Sequence, residues 1–209
     1  MTRRVLAFGD SNTFGTPPMR SRTDGGRFGP EIRWPRVMAA TLGCEVVEEG
    51  LPGRTAGALA DPVMGPATNG LLGLDMALRS HGTLDDIVIL LGTNDLKAHF
   101  GLDGEGIAAN IAGLLALARS AEMTERHGGA RITLLCPPPV REVGPIRAEF
   151  WGAEARGAGL AAAYAALGEG VGCGFFDAGS VIAVSGVDGV HFEAEAQVAL
   201  GRAVAAALS

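Results

Sequence analysis

The chain has 209 residues, of which 47% are hydrophobic and 19% charged, and a formal net charge of −6 at pH 7. This composition indicates a folded globular protein, and the length predicts one domain over 1–209 with a single large core. The acidic balance and the lack of a dense Lys/Arg cluster argue against nucleic acid or an anionic membrane surface as a partner.

The opening segment MTRRVLAFGD has too short an apolar run for a signal peptide, and no later run approaches the roughly 20 residues of a membrane span. We therefore expect a soluble, cytoplasmic protein without a membrane partner. Cys44, Cys136 and Cys173 lie far apart and form no CxxC pair. They are expected to be free thiols in or beside strands rather than zinc ligands.

Strand and helix patterns alternate along the chain. The first strand, 3–8, is followed by a long Gly/Pro-rich loop and then by a helix over 33–43, which Pro35 begins and Gly43 ends. The run DIVILLG at 86–92 is the clearest buried strand, because it is continuous, rich in β-branched residues and closed by glycine. The other predicted strands are 45–49, 131–136 and 171–177, and the other predicted helices are 69–82, 103–121, 150–170 and 193–208.

This alternation predicts an α/β fold, a flavodoxin-like three-layer α/β/α sandwich around a five-stranded parallel sheet. In the strand order 2-1-3-4-5, ligands bind beyond the carboxyl ends of the strands, between the first and third. The polar turns there are GDSNTFG, with Ser11, and GTNDLK, with Asn94. The turn after the second strand contains Gly53, and the segment after the fifth contains Asp188 and His191.

These residue types suit nucleophilic catalysis. A serine hydroxyl is a weak nucleophile that needs an adjacent base, and a base histidine needs a carboxylate to orient it. The Asp-x-x-His spacing lets one turn supply both Asp188 and His191. A tetrahedral intermediate also needs hydrogen-bond donors, which the N–H groups of Ser11 and Gly53 and the side-chain amide of Asn94 could provide.

Four sequence blocks carry a resemblance at these residues. They are Gly9-Asp10-Ser11, Gly53 in GLPGRT, Gly92-Thr93-Asn94-Asp95, and Asp188-Gly189-Val190-His191. In these blocks the chain resembles the SGNH (GDSL-type) hydrolase family. The segments EEGLPGRT, LGTNDLKAHF and FFDAGSV are similar to its bacterial arylesterase and acyltransferase branch.

The resemblance implies a serine esterase in which Ser11 is the nucleophile, His191 the base and Asp188 its partner. Ser11, Gly53 and Asn94 would form the oxyanion hole. It also implies small aryl or short-chain acyl esters as substrates, and an acyl-enzyme that passes its acyl group to water, an alcohol or peroxide. The resemblance implies neither a cofactor nor a metal ion. It does imply a homo-oligomer, such as an octamer. Pro52 departs from the pattern, because family members often carry serine there, and it stiffens the loop beside the acyl pocket.

Other readings of the same residues remain open. The segment SNTFGT could hold a phosphate of FMN in a flavodoxin-like binding module. A metal-dependent hydrolase could instead use Asp10, Asp95, Asp188 and His191 as ligands. Asn94 could simply cap the following helix, a task for which Asp95 is the better candidate.

Overall fold

The sheet predicted from the sequence is present in the computed structural model, which describes residues 2–209. Five strands pair in parallel in the order β2-β1-β3-β4-β5. Their bounds are Arg4–Gly9 (β1), Glu45–Gly50 (β2), Asp86–Leu90 (β3), Arg131–Cys136 (β4) and Gly174–Asp177 (β5). The flavodoxin-like order is therefore confirmed, and β1 lies between β2 and β3.

Eight α-helices accompany the strands in the described part of the chain. They are Ser11–Phe14 (α1), Trp34–Leu42 (α2), Gly70–Ser80 (α3), Gly104–Ala118 (α4), Ala121–His127 (α5), Ala153–Arg156 (α6), Leu160–Val171 (α7) and Ala194–Leu208 (α8). Over residues 2–209, no helix is both long and apolar enough to cross a membrane.

The two faces of the sheet bury separate hydrophobic clusters. Successive side chains of a strand point to opposite faces, so Val5 and Ala7 pack with α2 and α8, whereas Leu6 and Phe8 pack with α3, α4 and α7. All four side chains are fully buried. The sandwich thus has three layers. The sheet is the middle layer, with α2 and α8 on one face and α3, α4 and α7 on the other.

Three predicted elements differ from those observed. The helix predicted over 103–121 ends at Ala118, because Ser120 caps a separate helix, α5, by accepting the N–H of Met123. The helix predicted over 150–170 is divided into α6 and α7 by a 3₁₀ turn at Gly157–Gly159. The last strand begins at Gly174 rather than at residue 171.

Gln197 of α8 joins the helical layer to the turn that follows β1. Its side chain is fully buried. The Gln197 amide nitrogen donates to the carbonyl of Asn12 at 2.9 Å, and its oxygen accepts the N–H of Trp34 at 3.0 Å. Because Trp34 begins α2, one side chain holds α1, α2 and α8 in a fixed relation.

Candidate active site

Ser11 begins α1 just after the end of β1, where the chain makes a tight turn. Asp10 caps this short helix by accepting the N–H of Asn12 at 2.9 Å. The turn lies so close to β2 that a Cβ atom on Gly50 would come within 2.2 Å of the Phe14 nitrogen. The Ser11 hydroxyl is thereby fixed at the carboxyl edge of the sheet, between the ends of β2 and β3.

Neighbouring side chains of the predicted triad lie within hydrogen-bonding distance of each other. The Nε2 atom of His191 lies 3.1 Å from the Ser11 Oγ, and its Nδ1 lies 2.7 Å from Oδ2 of Asp188. Ser11 and His191 are each 6% exposed, whereas Asp188 is fully buried. The hydroxyl, the imidazole and the carboxylate therefore form one hydrogen-bonded chain, although 180 positions separate Ser11 from His191.

Asp188 accepts four hydrogen bonds. Its Oδ1 accepts the N–H groups of Val190 and His191 at 3.0 Å, and its Oδ2 accepts the N–H of Met19 at 2.7 Å in addition to the imidazole. Burial acts to raise the pKa of Asp188, but the hydrogen bond and charge of His191 and the backbone N–H groups outweigh it and lower the pKa to about 2. The carboxyl is therefore ionised at neutral pH.

Two backbone N–H groups are available where an oxyanion would form. In the described residues, neither the Ser11 N–H nor the Gly53 N–H donates to a protein acceptor. Gly53 has a φ of +82°, and a Cβ atom there would lie 2.2 Å from the sulfur of Met64. Only glycine fits this position without strain.

The side-chain amide of Asn94 is the third candidate donor to the oxyanion. Its side-chain nitrogen donates to the carbonyl of Arg54 at 3.1 Å and is 3.4 Å from Oδ2 of Asp10. Thr93, not Asn94, occupies the capping position of the short 3₁₀ turn that follows. Asp95 is not a cap either, because its carboxylate accepts the N–H of Ala56 and so joins the β2 and β3 loops.

Buried charges lie directly behind the site. Burial is the main cause that raises the pKa values of Asp10 and Asp95 to about 6 each. Burial also lowers the pKa of Arg54 to about 10. Arg54 donates to the carbonyls of Gly9 and Glu49 and lies over the ring of Phe8, 4.2 Å from its centre. Arg54 thus has a structural role, because it binds backbone carbonyls near the ends of β1 and β2.

Ser11 and His191 open into a cavity of about 360 Å³. Its walls come from the loop after α1, the loop after β2 and the segment before α6, with apolar contributions from Phe14, Met19, Pro52, Met64, Ile146 and Phe150. Lys97, almost buried, forms an ion pair of 2.6 Å with Asp61 at this wall. A larger cavity of about 510 Å³ lies at the opposite end of the sheet and contains none of these groups.

Comparison with known proteins adds a family to this geometry. A family model described as GDSL-like lipase/acylhydrolase matches residues 7–199. The chain belongs to this family. The resemblance inferred from the four sequence blocks is therefore confirmed. No curated protein matches the chain.

Solved structures of esterases superpose on nearly the whole chain. The native aryl esterase of M. smegmatis is 37% identical with a TM-score of 0.92, and the match covers 99% of this chain and 98% of that one. Est24, a carbohydrate acetylesterase from Sinorhizobium meliloti, is 35% identical with a TM-score of 0.92, covering 99% and 98%. A putative arylesterase from Agrobacterium tumefaciens is 38% identical with a TM-score of 0.85 and covers 99% and 98%. The protein is a carboxylic ester hydrolase with the SGNH hydrolase fold.

The geometry of this GDSL-family chain does not favour the other two readings of the sequence. The N–H groups of Asn12, Phe14 and Gly15 already donate within the turn after β1, so they cannot cradle a phosphate. Within residues 2–209, no three His, Cys, Asp or Glu side chains are grouped to hold a metal ion. The Asp188 carboxylate instead accepts hydrogen bonds from N–H donors.

Several residues at the site were not found from the sequence. Met19 and Gln197 contact the triad region through a backbone N–H and a side-chain amide, and neither gives a motif. Asn12 links the first and last blocks, because its side-chain nitrogen donates to the carbonyl of Val190 at 3.2 Å. Lys97 stands in the same GTNDLK segment as Asn94, so its position there was the one available signal.

Proposed function

We propose that this GDSL-family hydrolase is a serine esterase that cleaves small aryl or short-chain acyl esters through an acyl-enzyme on Ser11. The observation that carries the proposal is the hydrogen-bonded line from Ser11 through His191 to Asp188 at the floor of a cavity. The family membership supports the reaction class.

In the proposed mechanism, Nε2 of His191 takes the proton of the Ser11 hydroxyl while Oγ attacks the ester carbonyl. The negative charge that develops on the carbonyl oxygen is received by the N–H groups of Ser11 and Gly53 and by the Asn94 amide. His191 then gives its proton to the departing alcohol. A water molecule then attacks the acyl-enzyme in the same way: His191 takes its proton, and the acid is released as the proton returns to Ser11. Asp188 stays ionised throughout.

The cavity supports small substrates. Its volume of about 360 Å³ is at the low end for ligand pockets, and Phe14, Met64 and Phe150 make its walls apolar. A short acyl group and a small aromatic or polar alcohol fit such a space. An alcohol or peroxide that enters in place of water would receive the acyl group, so acyl transfer belongs to the same proposal.

We also propose that the chain assembles into a homo-oligomer. Large apolar side chains are exposed at Val63, Met76 and Trp151, with Val63 88% exposed. Association of subunits would remove such side chains from water, which is favourable. Light scattering should therefore give a mass several times the 21.3 kDa of one chain, and a monodisperse monomer at micromolar concentration would contradict the assembly.

The function is tested with p-nitrophenyl esters of increasing acyl length, with and without EDTA. Acetyl and butyryl esters should be turned over faster than palmitoyl esters, and EDTA should leave the rates unchanged. A preference for palmitate would contradict the small pocket. Loss of activity with EDTA that Mg²⁺ or Mn²⁺ restores would contradict the serine mechanism.

A further inference from the structure

The loop of residues 15–33, between α1 and α2, reaches the carboxylate of Asp188. Met19 donates its backbone N–H to Oδ2 of Asp188 at 2.7 Å. This is the oxygen that also accepts Nδ1 of His191 at 2.7 Å. The remaining two donors, Val190 and His191, belong to the turn of Asp188 itself. Within residues 2–209, Met19 is thus the one donor to this carboxylate from another segment.

The same loop forms one wall of the substrate cavity. Met19, Arg22 and Asp24 line it. The part of the loop that follows Met19 is held by contacts near the surface. Asp24 accepts the N–H groups of Arg20 and Ser21 and closes a turn just after Met19. Arg22 pairs with Glu149 across the cavity rim. Residues 22–27 are exposed, so the position of this wall depends on few buried contacts.

We propose that the backbone N–H of Met19 is a positioning group for the triad, through which the wall of the substrate cavity fixes the orientation of Asp188 and the negative charge that it presents to His191. The proposal rests on the proposed function, because it takes His191 as the base and Asp188 as its partner. It assigns a role to a residue outside the four family blocks.

The consequence is a link between the loop and the basicity of the site. A donated N–H places positive charge beside Oδ2, which offsets part of the carboxylate charge felt by the imidazole. Without that N–H, protonated His191 is stabilised, and activity should begin at a higher pH.

Other charged groups lie around His191 and would remain in place: Asp10 after β1, Arg54 after β2, Lys97 after β3, Glu149 at the rim, Arg22 and Asp24 on the loop, and Glu193 before α8.

The decisive variant replaces Met19 by its α-hydroxy analogue, so that a backbone ester removes the N–H and keeps the side chain. Met19→Pro removes the same N–H by ordinary mutagenesis. Met19→Leu is the matched control, because it changes the side chain and keeps the donor. For each protein, kcat and KM for p-nitrophenyl acetate are measured from pH 5 to 8, with circular dichroism as the check on folding.

The midpoint of the acid limb should rise by about half a pH unit in the ester variant, because one hydrogen bond to the carboxylate is lost. Its kcat on the plateau should fall about tenfold, since Asp188 is less well oriented. Met19→Leu should keep the wild-type midpoint, whatever its KM. Met19→Pro should shift like the ester variant if it folds, and the ester variant decides if it does not.

An unchanged or lowered midpoint in the folded ester variant would overturn the proposal. Failure of the proposed function is recognised separately, by an organophosphonate that does not label Ser11 in the wild-type protein. Labelling of Ser11 together with an unmoved midpoint would leave the esterase assignment standing and remove Met19 from it.

Discussion

Ser11, the proposed nucleophile, carries a hydroxyl that is weakly reactive by itself, and in the proposed mechanism its neighbours activate it. The His191 ring is within 3.1 Å of the hydroxyl, and an ionised, buried Asp188 holds the ring from behind. Because the imidazole can accept the Ser11 proton only in its neutral form, the esterase activity should be lost in acid.

Replacing Ser11 by alanine should lower kcat by about 10⁴-fold, because the nucleophile is lost while the fold and the oxyanion donors remain. Ser180→Ala is the matched control, since Ser180 is exposed and does not line the cavity. Steady-state kinetics on p-nitrophenyl acetate, with mass spectrometry after phosphonate treatment, should place the single adduct on Ser11. Normal turnover by Ser11→Ala would remove the triad from the mechanism.

Asn94 allows a test of the oxyanion donors. Asn94→Ala removes the amide and should lower kcat by about 10²–10³-fold with little change in KM. Asn94→Asp should be at least as inactive, because it sets a carboxylate where the oxyanion forms. It should also be less stable than Asn94→Ala, because the new charge faces Asp10 and the carbonyl of Arg54. An active, stable Asn94→Asp enzyme would assign the oxyanion to backbone N–H groups alone.

At the scale of elements, the positions of α1, α2 and α8 depend on one buried amide. Gln197→Met should cost about 1–3 kcal/mol of stability, because it leaves the carbonyl of Asn12 and the N–H of Trp34 without partners. It should also lower kcat, since α1 begins with Ser11. Urea denaturation and kinetics measure both effects. Glu195→Met, exposed on the same helix, is the control and should change neither.

The elements show which features a sequence reveals. Strand order, the carboxyl edge and the pairing of Ser11 with Asn94 and His191 follow from local patterns and general rules of parallel sheets, so they were predictable. The break between α4 and α5 was not, because apolar periodicity continues through it and a cap at Ser120 overrides it. Gln197 looks like a surface residue until its partners are known. The Met19 N–H has no signature, since every residue except proline has one.

For the whole molecule, the buried acids should make stability depend on pH. Unfolded carboxyls titrate near ~3.9, whereas the pKa values of Asp10 and Asp95 in the fold are raised to about 6. The folded state therefore binds more protons between these values. The stability that this proton binding contributes is fully present below pH ~4 and is lost as pH rises through about 6, on the order of 3 kcal/mol for each group.

The free energy of unfolding should therefore depend less on pH in Asp95→Asn than in the wild type, measured by urea denaturation at pH 5 and pH 7.5. The comparison between the two proteins is needed because burial lowers the pKa of His127, which acts in the opposite direction. Asp188 does not interfere, because its lowered pKa removes stability only at more acid pH. Equal pH dependence in both proteins would contradict the role given to Asp95.

In the order of synthesis, Ser11 lies within the first tenth of the 209 residues. Asp188, His191 and Gln197 come after all five strands. In the proposed mechanism, a growing chain thus carries its nucleophile for most of its synthesis without a base to activate it. Only when α8 docks against α2 does Gln197 fix the turn of Ser11. Ester cleavage would then begin with the last step of folding, and a nascent or truncated chain that lacks this helix would not act on cellular esters.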